Sequence, residues 1–273
     1  MNLTSRIESA ELQFKQILED FFVSVYNDES LPSHGLDHHR RVWNYAKDLV
    51  ISVTEKNNII DPSLPENLII ACYLHDIGMS VDPGIKHGHH SKELCRSFLK
   101  SNQLDGNKYL NLLSAIENHD NKEYTTSSGQ FDLLTVLSVA DDLDAFGFVG
   151  IYRYSEIYLT RGLSQQELGH LILKNAAKRF DNFIRTFGTI DSILCKQTER
   201  YNILKDFFNN YNSQVKSYNF DGQDPTGYCG VIELLSEMIK GKKGLEDLYL
   251  NVELYFEDEI INWFFNNLNL ELK

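Results

Sequence analysis

The sequence predicts an all-α protein. Three observations carry that expectation. Gly and Pro are sparse, 16 and 5 in 273 residues, so the chain has few obligatory breaks. Few runs alternate with period two, whereas apolar residues recur at spacings of three and four. Hydrophobic residues make up 42% and charged residues 24%, the balance of a folded globular chain rather than a disordered one.

The elements follow in order. Ile7, Leu12, Phe14, Ile17, Leu18, Phe21, Phe22 and Val25 mark a first amphipathic helix, and Asn27-Asp28-Glu29-Ser30-Leu31-Pro32-Ser33 ends it. A second helix is expected from near Asp37, a suitable N-cap, through Val42, Trp43, Ala46, Leu49 and Val50. After the loop Asp61-Pro62-Ser63-Leu64-Pro65, residues 66–77 read as a third helix, apolar on nearly every side and therefore central. Gly78 stands where its carboxyl-terminal cap would be. Val81-Asp82-Pro83-Gly84 is a turn, and helices are expected over 87–101, 107–119 and 131–146. Beyond Gly150 the chain stays helical and rich in aromatics, among them Phe180, Phe183, Phe187, Tyr201, Phe207, Phe208 and Tyr211. Residues 219–230 read as a Gly-rich break, and a last helix carries Leu254, Tyr255, Phe256, Ile260, Ile261, Trp263, Phe264 and Phe265. Eight of the nine His fall between residues 34 and 119. That asymmetry places a core at 1–160 and a helical extension at 161–273.

Charge narrows the function. Lys+Arg is 26 and Asp+Glu 39, a formal net charge of −13. Such a chain is poorly suited to long nucleic acid or an anionic membrane. A small phosphorylated substrate stays compatible, because a bound metal inverts the local charge. No apolar run approaches the roughly 20 residues of a membrane span, and the start Met1-Asn2-Leu3-Thr4-Ser5-Arg6-Ile7-Glu8 lacks the apolar stretch of a signal peptide. Cys72, Cys95, Cys195 and Cys229 form no CxxC pair and read as reduced thiols. The expectation is a soluble cytoplasmic protein, and nothing in the sequence specifies an oligomeric state.

The chemistry lies where polar residues interrupt apolar helices. His75-Asp76 closes the apolar run Leu68-Ile69-Ile70-Ala71-Cys72-Tyr73-Leu74. Burying such a pair is costly without a partner, either a metal, which a helix carboxyl end also favours, or an internal His–Asp hydrogen bond. Asp141 and Asp144 share one face of the run Leu133 to Phe146. Two buried carboxylates repel unless a cation or Arg lies between them; the alternative is an exposed acidic stripe. Three more clusters follow the same logic: His34-Gly35-Leu36-Asp37-His38-His39-Arg40-Arg41-Val42, Lys86-His87-Gly88-His89-His90-Ser91, and Ile116-Glu117-Asn118-His119-Asp120. His170 is isolated and receives no role.

In that order the clusters resemble the HD-domain superfamily of metal-dependent phosphohydrolases. His38-His39-Arg40-Arg41-Val42 matches its H-x-x-R-V motif, and His75-Asp76 its name-giving doublet. His87 four residues before the small Ser91, Ile116 three before His119, and Asp141 in Ala140-Asp141-Asp142-Leu143-Asp144 match the remaining motifs. Gly147-Phe148-Val149-Gly150-Ile151-Tyr152-Arg153 is similar to one bacterial branch. The resemblance spans residues 20 to 155, and the carboxyl-terminal hundred residues match no motif.

The resemblance implies an HD-domain helical bundle core with a C-terminal helical extension. It implies that His38, His75, Asp76 and Asp141 hold one metal, and that His87 and His119 hold a second with Asp76 bridging. His90 remains open beside His87. Imidazole and carboxylate donors suit one or two divalent ions of Mn, Fe, Co, Ni or Zn. The implied activity is attack of metal-activated hydroxide on a phosphate mono- or diester, a nucleotide being one candidate. Asp76 and His119 would be catalytic, with His34 facing the substrate. Lys86, His90 and Arg153, with Arg40 and Lys122 as further candidates, would meet the phosphate. Arg41 is expected to pair with a buried carboxylate such as Asp144. Two other readings fit the same ligands: a di-iron oxygenase, and a non-catalytic metal or nucleotide sensor.

Overall fold

The computed structural model describes residues 2–26, 31–55, 61–82, 84–121, 131–220, 224–241 and 257–273. Among the described residues are eleven α-helices, three 3-10 turns and no strand, the all-α architecture expected. No described helix is long and apolar enough to cross a membrane. Asn27 to Ser30, Lys122, and Leu254, Tyr255 and Phe256 of the expected last helix lie outside the described residues.

The chain divides into two compact units. One is Met1–Asp144 with Asp181–Leu194, and the other is Ala145–Phe180 with Cys195–Lys273. This division does not follow the boundary read near residue 160. The helix after Asp144 packs on helices near the carboxyl terminus, so its contacts assign it to the second unit.

In the first unit, α1 (Leu3–Val25) is capped by Asn2, whose side chain accepts from Ser5 N at 2.8 Å. α2 (Leu36–Glu55) begins before Asp37, so that residue sits in the first helical turn and bonds Arg40 instead of capping. α3 (Leu64–Leu74) opens with Pro65 in its first turn, where its missing N–H costs nothing. Leu68 through Leu74 are all buried, the mark of a central helix. α1 and α2 both pack on α3. Each large buried side chain here, such as Phe14, Trp43 or Phe98, contributes about 1.5–3 kcal/mol.

α3 ends three residues earlier than expected. His75 still bonds Ala71 O, but Asp76 leaves helical geometry at φ −107° and ψ 4°, and Ile77–Ser80 forms a 3-10 turn. Gly78 is therefore no helix cap; it lies against α4 (His87–Ser101). A Cβ at Gly78 would stand 2.2 Å from His87 O and 2.4 Å from Ser91 N. Gly78 N donates to Ser91 Oγ at 2.8 Å. The small residue four after His87 thus seats α4 on the turn that follows Asp76. α5 (Leu110–Asn118) follows a 3-10 turn at Gly106–Tyr109 and packs on α4. α6 (Leu133–Leu143) is capped by Asp132, which accepts from Thr135 N, and packs on α2, α3 and α5.

In the second unit, α7 (Gly147–Thr160), α10 (Gly227–Lys240) and α11 (Glu259–Leu272) pack on one another. α8 (Gln165–Phe187) and α9 (Asp191–Gln214) contribute residues to both units. The first amides of α7, Phe148 N and Val149 N, donate to Glu271 Oε2 at 2.6 and 3.1 Å, a carboxylate at a helix amino terminus. α10 starts within the segment read as a Gly-rich break. Its Gly227 has φ +60°, and a Cβ at Gly230 would stand 2.7 Å from Pro225 C. Both glycines serve a close entry into the helix rather than a loop.

Candidate metal centre

The helix ends of the first unit deliver the site. His38 comes from the first turn of α2, His75 and Asp76 from the end of α3, and Asp141 from the last turn of α6. All four are buried, and their ligand atoms lie within 4.8 Å of one another. His38 Nε2 is 3.2 Å from His75 Nε2, 3.6 Å from Asp76 Oδ2 and 3.8 Å from Asp141 Oδ1. His75 Nε2 is 3.5 Å from Asp76 Oδ2 and 3.8 Å from Asp141 Oδ1.

A second group shares Asp76. His87 opens α4 and His119 closes α5. The other oxygen of Asp76, Oδ1, is 2.9 Å from His119 Nε2 and 3.4 Å from His87 Nε2. One carboxylate thus turns one oxygen to each group.

The outer nitrogen of every imidazole is fixed. Nδ1 of His75, His87 and His119 meets the carbonyl oxygens of Cys72, Gly84 and Ile116 at 3.0, 2.7 and 2.7 Å. A carbonyl only accepts, so each Nδ1 carries the proton. His38 Nδ1 donates to Asp144 Oδ2 at 2.7 Å. In neutral rings all four Nε2 lone pairs then converge on the oxygens of Asp76 and Asp141. Acceptors facing acceptors at about 3 Å repel unless a proton or cation lies among them.

These distances match a common ion. Ligands at about 2.0–2.2 Å from one ion lie between about 2.9 and about 4.3 Å from each other. Every separation quoted between Nε2 and carboxylate ligand atoms falls in that window. Imidazole nitrogen with carboxylate oxygen is a donor set for divalent transition ions. The residues therefore fit a metal in each group.

Electrostatics supports an ionised Asp76 beside a neutral His75. Burial pushes His75 below the usual imidazole value. Burial alone would raise Asp76, but the charge of His75 and hydrogen bonds from His119 and His38 hold it well below the usual carboxylate range. For His119 burial is outweighed by Asp76, whose hydrogen bond and charge raise the imidazole. Burial, then His38 and His75, push His39 well down. His39 Nδ1 donates to the same Cys72 carbonyl as His75, at 3.0 Å, while its Nε2 has no hydrogen-bond partner among the described residues.

The other expected residues are scattered. His34 is buried, with its ring centroid 5.3 Å from that of His38 and its Nδ1 bonded to Ser33 Oγ. His87, not His90, stands beside Asp76; the His90 ring instead lies 5.9 Å from that of His89. Lys86 is exposed immediately before α4. Arg40 is engaged by Glu19 and Asp37. Arg153 is buried on α7, in the second unit. Arg41 does meet Asp144, through Nε at 2.7 Å and NH2 at 3.0 Å. The hydrogen bond from His38 to Asp144 was not anticipated, although the repeated Asp in Asp141-Asp142-Leu143-Asp144 puts that carboxylate on the face of Asp141.

Comparison with known proteins agrees with this geometry. The HD domain family model matches residues 35–145. No curated protein and no solved structure matches the chain. The matched segment contains every buried His and Asp of the two groups, in motif order, and this match over residues 35–145 is consistent with the HD-domain superfamily.

Proposed function

We propose that the chain is a metal-dependent phosphohydrolase acting on a phosphate mono- or diester of a small substrate, a nucleotide being one candidate. One observation carries the reading. Imidazole nitrogens and carboxylate oxygens from six buried residues converge in two groups that share Asp76, with His38 Nε2 and His75 Nε2 only 3.2 Å apart. His38, His75, Asp76 and Asp141 would hold one divalent ion, and Asp76, His87 and His119 a second. Ions held there supply Lewis acidity toward a phosphoryl oxygen and a nucleophile at neutral pH.

The chain's own groups orient and exclude. Asp144, Cys72 O, Gly84 O and Ile116 O fix the four rings through their Nδ1 atoms, so the donors are set before an ion arrives. The apolar walls of α3 and α6 exclude water and strengthen charge interactions within the site. Exposed Lys86 and part-buried His90 flank His87 at the amino terminus of α4, an end that favours an anion. They are the phosphate contacts of this reading, with His34 beside His38.

The test is Asp76→Ala. It should abolish hydrolysis of a generic phosphoester supported by Mn, Co or Ni while leaving helical circular dichroism largely intact. Full activity in the variant would remove the site assignment. An inactive wild type that, loaded anaerobically with iron, gives a mixed-valence signal would replace hydrolysis by oxygen chemistry on the same six residues.

A further inference from the structure

We infer that Asp120 is an additional ligand of the second ion, making that group Asp76, His87, His119 and Asp120. The inference rests on the two-ion reading above and adds a residue to it.

Asp120 follows His119 directly, in the turn that ends α5. Its Oδ2 is 3.9 Å from His87 Nε2. That separation lies in the window of about 2.9 to about 4.3 Å expected for two ligands of one ion. The first group offers an internal comparison. There Asp141 Oδ1 stands 3.8 Å from each of His38 Nε2 and His75 Nε2, a separation that Asp120 matches toward His87 alone.

Charge points the same way. The first group has a carboxylate of its own in Asp141, besides its share of Asp76. The second group has only the shared Asp76 among its tight ligand atoms. A second dication held by the same carboxylate would be under-neutralised by that share alone. Asp120 supplies the missing negative charge on the side of His87.

The backbone holds Asp120 in place. Ser138 Oγ donates to His119 O at 3.0 Å, which fixes the peptide leading into Asp120. Asn121 N donates to Asn118 O at 3.0 Å and closes the turn. The carboxylate stands outside the tight group of three, so rotation about its side-chain bonds must bring it inward. Its side chain is 47% exposed, against 4% for His87 and 1% for His119. Asp120 therefore marks where the second group meets solvent. An ion completed by such a ligand exchanges more readily than one enclosed by His38, His75 and Asp141.

The experiment is Co2+ titration of the metal-stripped full chain, followed by calorimetry and by the visible absorption of bound cobalt. Wild type, Asp120→Ala, Asp120→Asn and His119→Ala are compared, each checked by circular dichroism. Wild type should bind two ions. Asp120→Ala should weaken the second by at least about tenfold, change its absorption band, and leave the first ion's affinity as in wild type. Asp120→Asn, which keeps the shape and loses the charge, should also weaken it. Two ions bound by Asp120→Ala with wild-type affinities and spectrum, while His119→Ala loses one, would overturn the role of Asp120 and leave the two-ion reading standing. A wild type that binds a single ion would overturn both.

Discussion

Asp144 serves two partners with one buried carboxylate. It accepts from His38 Nδ1 at 2.7 Å and takes both nitrogens of Arg41 in a forked pair. It touches none of the proposed ions but sets the direction of a ring that would. Asp144→Asn should therefore lower first-ion affinity by about 10- to 100-fold, read by competition with a chelating dye; wild-type affinity would show that His38 is held by packing alone. Asp144→Ala leaves Arg41 without its counter-charge and should cost about 3–5 kcal/mol in urea unfolding. Residue types were the most legible part of the site. His75-Asp76 and Asp141 stand out because they interrupt apolar helices, where an uncompensated polar group is expensive. The choice between His87 and His90 was not legible, since it depends on how α4 is seated, and the bond from Gly78 N to Ser91 Oγ that seats it spans thirteen residues. His38 and Asp144 lie 106 residues apart, and spacing alone gives no hint of such a bond.

Two seams between elements decide whether these residues meet. The first is Gly78 against α4. Gly78→Ala would place a methyl group 2.2 Å from the carbonyl oxygen of His87, and backbone cannot yield as a side-chain tip can. Displacing α4 should cost about 1–3 kcal/mol and weaken second-ion binding more than first-ion binding, since α4 carries His87 alone. Equal binding by both would show that the turn absorbs the change. The second seam is Glu19 of α1, which takes Arg40 of α2 and the hydroxyl of Tyr73 of α3. Arg40 holds the Glu19 carboxyl below its usual value, with Tyr73 adding to it against a smaller cost of burial. A depressed carboxyl stabilises the fold above its unfolded pKa, near 4.5, and that stability is lost as pH falls through the folded value. Glu19→Gln should thus lower stability at neutral pH by about 1.5–3 kcal/mol and flatten its decline below pH of about 4.5. Identical acid profiles would remove the strut. Helix existence was readable from periodicity, whereas ends were not. α3 stops at Leu74 because Asp76 must turn toward two groups of imidazoles, and α10 hides behind glycines whose purpose is close packing.

At the scale of the whole chain the balance of charge matters. A net charge of −13 includes buried carboxylates that nearby cations must offset, and on the proposed reading divalent ions would do so at Asp76 and Asp141. Ions bound by the folded chain alone stabilise it by mass action, about 2.7 kcal/mol at a hundredfold excess over Kd. Stripping them with a chelator should lower Tm by about 5–10 °C for a chain of this size, and Mn, Co or Ni should restore it better than Ca. The all-α class was legible from composition and period, and the motif order pointed to the first unit. The boundary between units was not, because the break at Gly147 does not tell which helices α7 packs on, and only its tertiary partners, α10 and α11, assign it. The most direct measurement is anomalous diffraction at the metal edge from crystals of protein loaded with Mn, Co or Ni. The account predicts two peaks, one on each side of Asp76: one among His38, His75 and Asp141, the other beside His87 and His119. Protein that takes up no metal and gives no peak at Asp76 would contradict it.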